Sequence, residues 1–152
     1  MPSSAYTSAG STLLVSEDTP SINTVADFDL LDFVEVGEVT DLGQFGASDD
    51  VLSYYEARSN NPSKLVGNRS YGSLNITMAA VRADDGQAII QQARRGRQRC
   101  SFQITTPEPD AYYFTGIVSG YQVSVGGSDQ IVSATITVEL DSEFVVDEDI
   151  VI

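Results

Sequence analysis

Carboxylates are the residues in this chain whose chemistry could matter, and their spacing argues against catalysis. Asp49-Asp50, Asp84-Asp85 and Asp147-Glu148-Asp149 are adjacent pairs or triplets. Glycoside hydrolysis needs two carboxylates held across a cleft, normally from separate elements. Neighbouring acids in one loop read as solvated surface. Calcium takes oxygen ligands, but the spacing of a calcium-binding helix–loop–helix is absent. The chain has no histidine and a single cysteine, Cys100. That excludes Cys/His zinc sites, an intrachain disulfide, and Ser-His-Asp or Cys-His nucleophiles. Cys100 lies in an apolar alternation and reads as a small core residue. Gly116, Gly120, Gly126 and Gly127 fall in strands and a hairpin and do not precede a helix, so they form no phosphate-binding loop. The expectation is a protein that is not an enzyme, with no metal and no cofactor.

Charge narrows the choice further. The sequence holds 22 acidic and 8 basic residues in 152, a formal net charge of −14. Such a surface repels phosphates, which argues against a sequence-reading nucleic-acid binder. It suits solubility alone or, more sharply, a surface that nucleic acid must pass without sticking. Arg94, Arg95, Arg97 and Arg99 are half of the basic residues. Two of them would cap a helix C-terminus, and excess acid elsewhere offers inter-subunit partners for bidentate pairs. No apolar run is long enough to span a bilayer, so no membrane insertion is expected. The first residues lack a basic segment and an apolar core, which is unlike a secretory signal.

The elements that carry these residues are mainly β. Residues 1–10 read as a loose arm and 11–15 as a short strand. Residues 27–32 fit an irregular segment or a short helical turn. Residues 33–39 read as a strand whose phase breaks at Gly37, as at a bulge or kink. Residues 43–68 lack a period and read as a long loop that contains Val51, Leu52, Tyr54 and Tyr55. Leu74, Ile76, Met78 and Ala80 alternate with Ser73, Asn75 and Thr77 in a strand. A helix is expected over about 84–95, with Asp84 or Asp85 at its N-cap and Gly96 in the left-handed cap position. Strands then follow around Cys100–Ile104, Tyr112–Ser119, Tyr121–Val125 and Val132–Leu140, with a hairpin loop at Gly126-Gly127-Ser128-Asp129. Residues 141–152 form an acidic tail, expected to be mobile in the free protein, whose apolar stretches Phe144-Val145-Val146 and Ile150-Val151-Ile152 could pair with a neighbouring subunit. The fold class is an antiparallel β-sandwich or barrel with one flanking helix. The organisation is an arm over 1–10, one β domain over 11–140 and a tail over 141–152.

Several of these strands resemble the phage major tail protein family. The strand end Val36-Gly37-Glu38-Val39-Thr40-Asp41-Leu42-Gly43 is similar to that family's, as is the strand Tyr71-Gly72-Ser73-Leu74-Asn75-Ile76-Thr77-Met78. Asp85-Gly86-Gln87 opens the helix in the family's manner. Phe102-Gln103-Ile104 and Tyr113-Phe114-Thr115-Gly116-Ile117-Val118 resemble its two strands around a Pro-rich turn, and Val132 to Leu140 its closing strand. The resemblance covers roughly Ser11 to Leu140 and rests on the order of motifs that are individually weak.

The resemblance implies a structural virion protein that self-assembles into hexameric rings stacked as a hollow tail tube, the conduit for DNA ejection. It implies a tail of the long, non-contractile kind, located in the virion and assembled in the host cytoplasm. The implied partners are the protein itself, a tape measure protein, and tail tip and tail terminator proteins, with genomic DNA passing through the lumen. Candidate lumen acids are Glu35, Glu38 and Glu139. Candidate inter-ring contacts are Asp49, Asp50, Leu52, Tyr54, Tyr55 and Arg58, and candidate inter-subunit basic contacts are Arg94, Arg95, Arg97 and Arg99. A secretion-system tube protein of the same plan is the first alternative. A monomeric β-sandwich adhesin or carbohydrate-binding module is another, although the absence of Trp and the strand positions of most tyrosines weigh against an aromatic platform.

Overall fold

Alternating apolar and polar residues produce most of the strands, because successive side chains point to opposite faces of a sheet. The computed structural model describes residues 9–46, 48–58, 61–107 and 110–147. Their elements are β1 (Thr12–Ser16), α1 (Val25–Asp29), β2 (Val34–Val36), β3 (Val39–Asp41), β4 (Ser48–Tyr55), β5 (Pro62–Ser70), β6 (Ser73–Ala79), α2 (Asp85–Gly96), β7 (Arg99–Thr105), β8 (Ala111–Ser124), β9 (Ser133–Leu140) and β10 (Val145–Asp147). The architecture is mainly β and antiparallel, with α2 flanking the sheet, as the sequence implied.

The main sheet runs β2-β1-β7-β8-β9-β6-β3, with β10 added to β8. Its two end strands, β2 and β3, are joined by Gly37 and Glu38 alone. The sheet must therefore curl until its ends nearly meet, which encloses a core. Leu13, Leu74, Ile76, Met78, Phe102, Phe114, Ile136 and Val138 are fully buried there. Helix α2 closes the core with Ile90 and Ala93. Each large apolar side chain so buried contributes about 1.5–3 kcal/mol.

The corner between β2 and β3 is tied to α2 by polar contacts. Asp84 caps the helix, its Oδ2 accepting from the Gln87 amide at 2.9 Å, and both carboxylate oxygens accept from the Gly37 amide at 3.2 Å. The Gln87 side chain donates to the carbonyls of Gly37 at 3.1 Å and Ala79 at 2.9 Å and accepts from the Val81 amide at 3.0 Å. Gly86 lies so near β2 that a Cβ there would sit 2.6 Å from the Glu35 carbonyl oxygen.

Several sequence expectations need correction. Much of the expected loop over 43–68 is the β4–β5 hairpin, a separate two-stranded sheet. Both of its faces are mostly exposed, so it has no buried side to impose the alternation that marks a strand. The expected strand over 33–39 is two strands paired to opposite ends of the sheet, β2 with β1 and β3 with β6. The turn sits at Gly37-Glu38, where Glu38 takes φ 60°. The left-handed cap belongs to Arg97, with φ 54°, because the helix continues through Gly96. The amides of Arg97 and Gln98 then return to the carbonyls of Arg94 and Ala93 at 3.3 and 3.1 Å. The strands expected around 112–119 and 121–125 are one strand, β8, with a register shift between Val118 and Gly120.

Residues 27–32 begin within α1, whose Phe28 stacks on Tyr113 with ring centroids 5.2 Å apart. The Tyr113 hydroxyl donates to Asp29 at 2.9 Å. Burial first, and then Asp29, pushes its phenol well above the usual range. Beyond Leu140 the chain stays on the domain. Val145–Asp147 pairs with the first residues of its own β8, and Phe144 packs against Phe45 and Tyr112. Phe144-Val145-Val146 is thus engaged within the chain, whereas Ile150-Val151-Ile152 and residues 1–8 lie outside the described residues.

Candidate functional site

Three surfaces stand out. The first is the outward face of β6, β8 and β9. Strand alternation that sends Leu74, Ile76, Ile136 and Val138 inward sends Asn75, Thr77, Thr135, Thr137 and Glu139 outward. Short cross-strand bonds hold this face: Thr137 Oγ1 donates to Asn75 Oδ1 at 2.9 Å, and the hydroxyls of Thr77 and Thr135 lie 3.4 Å apart. Register places Glu139 between Ser73 of β6 and Ile117 of β8. No Lys or Arg occurs in these strands. Within these strands the face is hydroxyl-rich and weakly acidic, and Arg99 of β7, paired in register with Ile117, stands at its edge.

The second surface is the β4–β5 arm. Leu52 pairs with Leu65 and Val51 with Val66, so each face of the ribbon carries an apolar pair. All four are exposed, Val66 by 72%, and so are Tyr54 and Tyr55, the latter by 70%. Arg69 donates to Asp49 at 2.8 Å across the two strands. That ion pair raises the arginine's already high pKa, through the hydrogen bond first and the Asp49 charge second. A two-stranded ribbon is marginal in water on its own. An apolar one that no sheet covers marks a contact surface.

The third surface surrounds α2, where Arg94 and Arg95 occupy the last turn and complement the helix dipole. Arg94, Arg95, Arg97 and Arg99 are all exposed. Arg99 pairs with Asp141 of its own chain at 2.6 Å.

The structure gathers some of the expected residues and separates others. Asp49, Asp50, Leu52, Tyr54 and Tyr55 share β4, and exposed Arg58 lies just beyond it. The four arginines cluster at one end of α2. Glu35, Glu38 and Glu139 are exposed but lie on β2, in the β2–β3 link and on β9, so they do not form one constellation. Sequence reasoning missed Leu65 and Val66. The apolar pairs Val51-Leu52 and Leu65-Val66, separated in sequence by the turn-favouring types Asn61-Pro62, were the available signal.

Among the described residues, no group of three metal-ligating side chains converges and no helix is long and apolar enough to cross a membrane. Cys100 is fully buried, and burial pushes its thiol up to about 12, which fits a packing role.

No family model matches the sequence, and neither does any curated protein. Solved structures do match in fold. A chain of the 6-fold-symmetrised anti-feeding prophage baseplate superposes with a TM-score of 0.70 at 10% identity, covering 97% of this chain and 98% of that one. The SPP1 tail tube matches with a TM-score of 0.63 at 13% identity, over 93% of this chain and 78% of that one. The sheath/tube terminator of PVC, an extracellular contractile injection system, matches with a TM-score of 0.62 at 11% identity, over 95% and 97%. The chain therefore has the fold found in the SPP1 tail tube, in the anti-feeding prophage baseplate and in the PVC sheath/tube terminator.

Proposed function

We propose that the chain is a structural, non-catalytic component of a phage tail or related injection apparatus, and that its copies assemble as stacked rings around a hollow tube. The observation that carries this reading is the exposed apolar β4–β5 arm on a fold that matches the SPP1 tail tube over 93% of the chain. An isolated subunit gains nothing from exposing such an arm, whereas a head-to-tail assembly buries it. Six subunits per ring, a long non-contractile tail, and the tape measure, tip and terminator partners extend this reading. So does location in the virion tail, with assembly in the host cytoplasm.

In this assembly the outward face of β6, β8 and β9 lines the bore. Its hydroxyls and amides are already bonded laterally, and Glu139 supplies negative charge, so DNA slides past without salt-sensitive attachment. Glu35 and Glu38 are the other lumen acids proposed. A second reading, a ring or terminator component of a contractile system, is favoured by the almost equal chain lengths in the baseplate and terminator matches.

Negative-stain electron microscopy with light scattering across concentrations tests the proposal. Long hollow tubes support the tube reading, and single closed rings support the ring-component reading. A protein that stays monomeric alone and also when mixed with a tail-tip complex argues against both.

A further inference from the structure

We propose that the β4–β5 arm of one copy docks into the groove between α2 and the β8–β9 hairpin of a second copy. This rests on the self-assembly reading and names the two surfaces that meet.

The groove is a stretch of core-type surface without a cover. Tyr121 and Val123 of β8 pair with Ile136 and Ala134 of β9, so they share the core-facing side of the sheet. Toward the hairpin end that side runs past the residues that α2 covers. Val118 is 3% exposed, but Val123 is 54% and Val132 is 41% exposed. Ala88 and Arg95 of α2 form the opposite wall, with Val81 in the lining, and the space between is about 620 Å³. Apolar side chains on the inner face of a sheet call for apolar cover, and no described residue of this chain supplies it here.

Charge selects the occupant. Residues 48–70 hold three acids (Asp49, Asp50, Glu56) and three bases (Arg58, Lys64, Arg69), so the arm is neutral while the remainder of the chain carries the whole charge of −14. The other basic residues, Arg82, Arg94, Arg95, Arg97 and Arg99, all fall on or beside α2, and Arg82 and Arg95 line the groove. Two copies of so acidic a body repel each other over most of their surfaces. The arm and the α2 side are the regions where approach is not penalised, and both carry exposed apolar side chains, whereas exposed Ile22 and Leu30 sit among the acids around α1. Asp50 of the arm then meets Arg82 or Arg95 across the contact. Each chain has one arm and one groove, so the contact is head-to-tail and extends to a ring or a stack.

The test uses two full-length variants, Leu52→Cys and Val123→Cys, mixed and treated with a short thiol cross-linker. Native Cys100 is fully buried and does not compete. A covalent dimer is expected from the mixture and from neither variant alone. In parallel, Val123→Asp, checked for folding by circular dichroism, is expected to raise the concentration needed for assembly by about 100-fold. If the wild type forms rings or tubes but the mixture yields no dimer, or Val123→Asp assembles at the wild-type concentration, the docking is overturned and the self-assembly reading stands. A wild type that never associates and a mixture that never cross-links overturn both.

Discussion

Replacing Gln87 by Leu removes the side chain that holds the two ends of the main sheet to the helix. Gln87 is 3% exposed and makes three side-chain hydrogen bonds, to the Gly37 carbonyl, the Ala79 carbonyl and the Val81 amide. Leu keeps most of the volume, so the loss is polar, with three backbone groups stranded in a partly buried site. A stranded group of this kind costs about 1–3 kcal/mol when fully buried. Partial solvent access brings each toward the lower figure, so the expected destabilisation is about 3 kcal/mol. That is a large share of the ~5–15 kcal/mol typical of a domain. Urea unfolding followed by circular dichroism should show the midpoint falling by about 1–2 M. Gln87→Glu separates hydrogen bonding from shape, because it retains an acceptor for Val81 but faces two carbonyls with no donor. It should be at least as damaging. Gln91→Leu, one turn along the same helix, is the control and should change stability by less than about 0.5 kcal/mol. An unchanged midpoint for Gln87→Leu would refute the claim that this corner depends on the glutamine.

Gly86→Ala should destabilise by about 2 kcal/mol in the same assay, because a Cβ would press on the Glu35 carbonyl and Val36 Cα, at 2.6 and 2.8 Å. Helix propensity alone predicts the opposite sign, so a stabilised variant would show that β2 can retreat. Arg97→Gly should stabilise the fold by about 1 kcal/mol by relieving a left-handed conformation at φ 54°, read as a raised melting temperature. Cys100 has its pKa raised from 9.0 to about 12 in the folded state, so its contribution is intact below pH 9 and is lost as pH rises toward 12. Tyr113, raised for the same first cause, acts in the same direction, and Cys100→Ala should flatten part of this alkaline fall in a stability profile. Converting Glu35, Glu38 and Glu139 together to Lys should leave assembly intact by microscopy but slow DNA delivery, and unchanged infectivity would reject the bore assignment.

Inward and outward alternation in residues 73–80, 100–104 and 132–140 was enough to name half of the buried apolar residues, because one face of each strand meets apolar side chains and the other meets solvent. The Asp84 cap and the helix from it were legible for a similar reason, since a short acidic side chain at a helix start has one local task. The absence of histidine and of spaced carboxylates spoke against catalysis before any fold was known. Other features depended on contacts between residues far apart in sequence. The β4–β5 arm has no buried face, so its strands carry no period, and they are strands only because Leu52 meets Leu65 and Val51 meets Val66. Gly37 signalled a break, but only the closed sheet shows that β2 and β3 leave it for opposite ends of the strand order. The groove beside α2 is a product of packing alone. Val123 and Val132 read as ordinary strand residues, and that they stand exposed beside α2 is visible only once the helix is packed on the sheet.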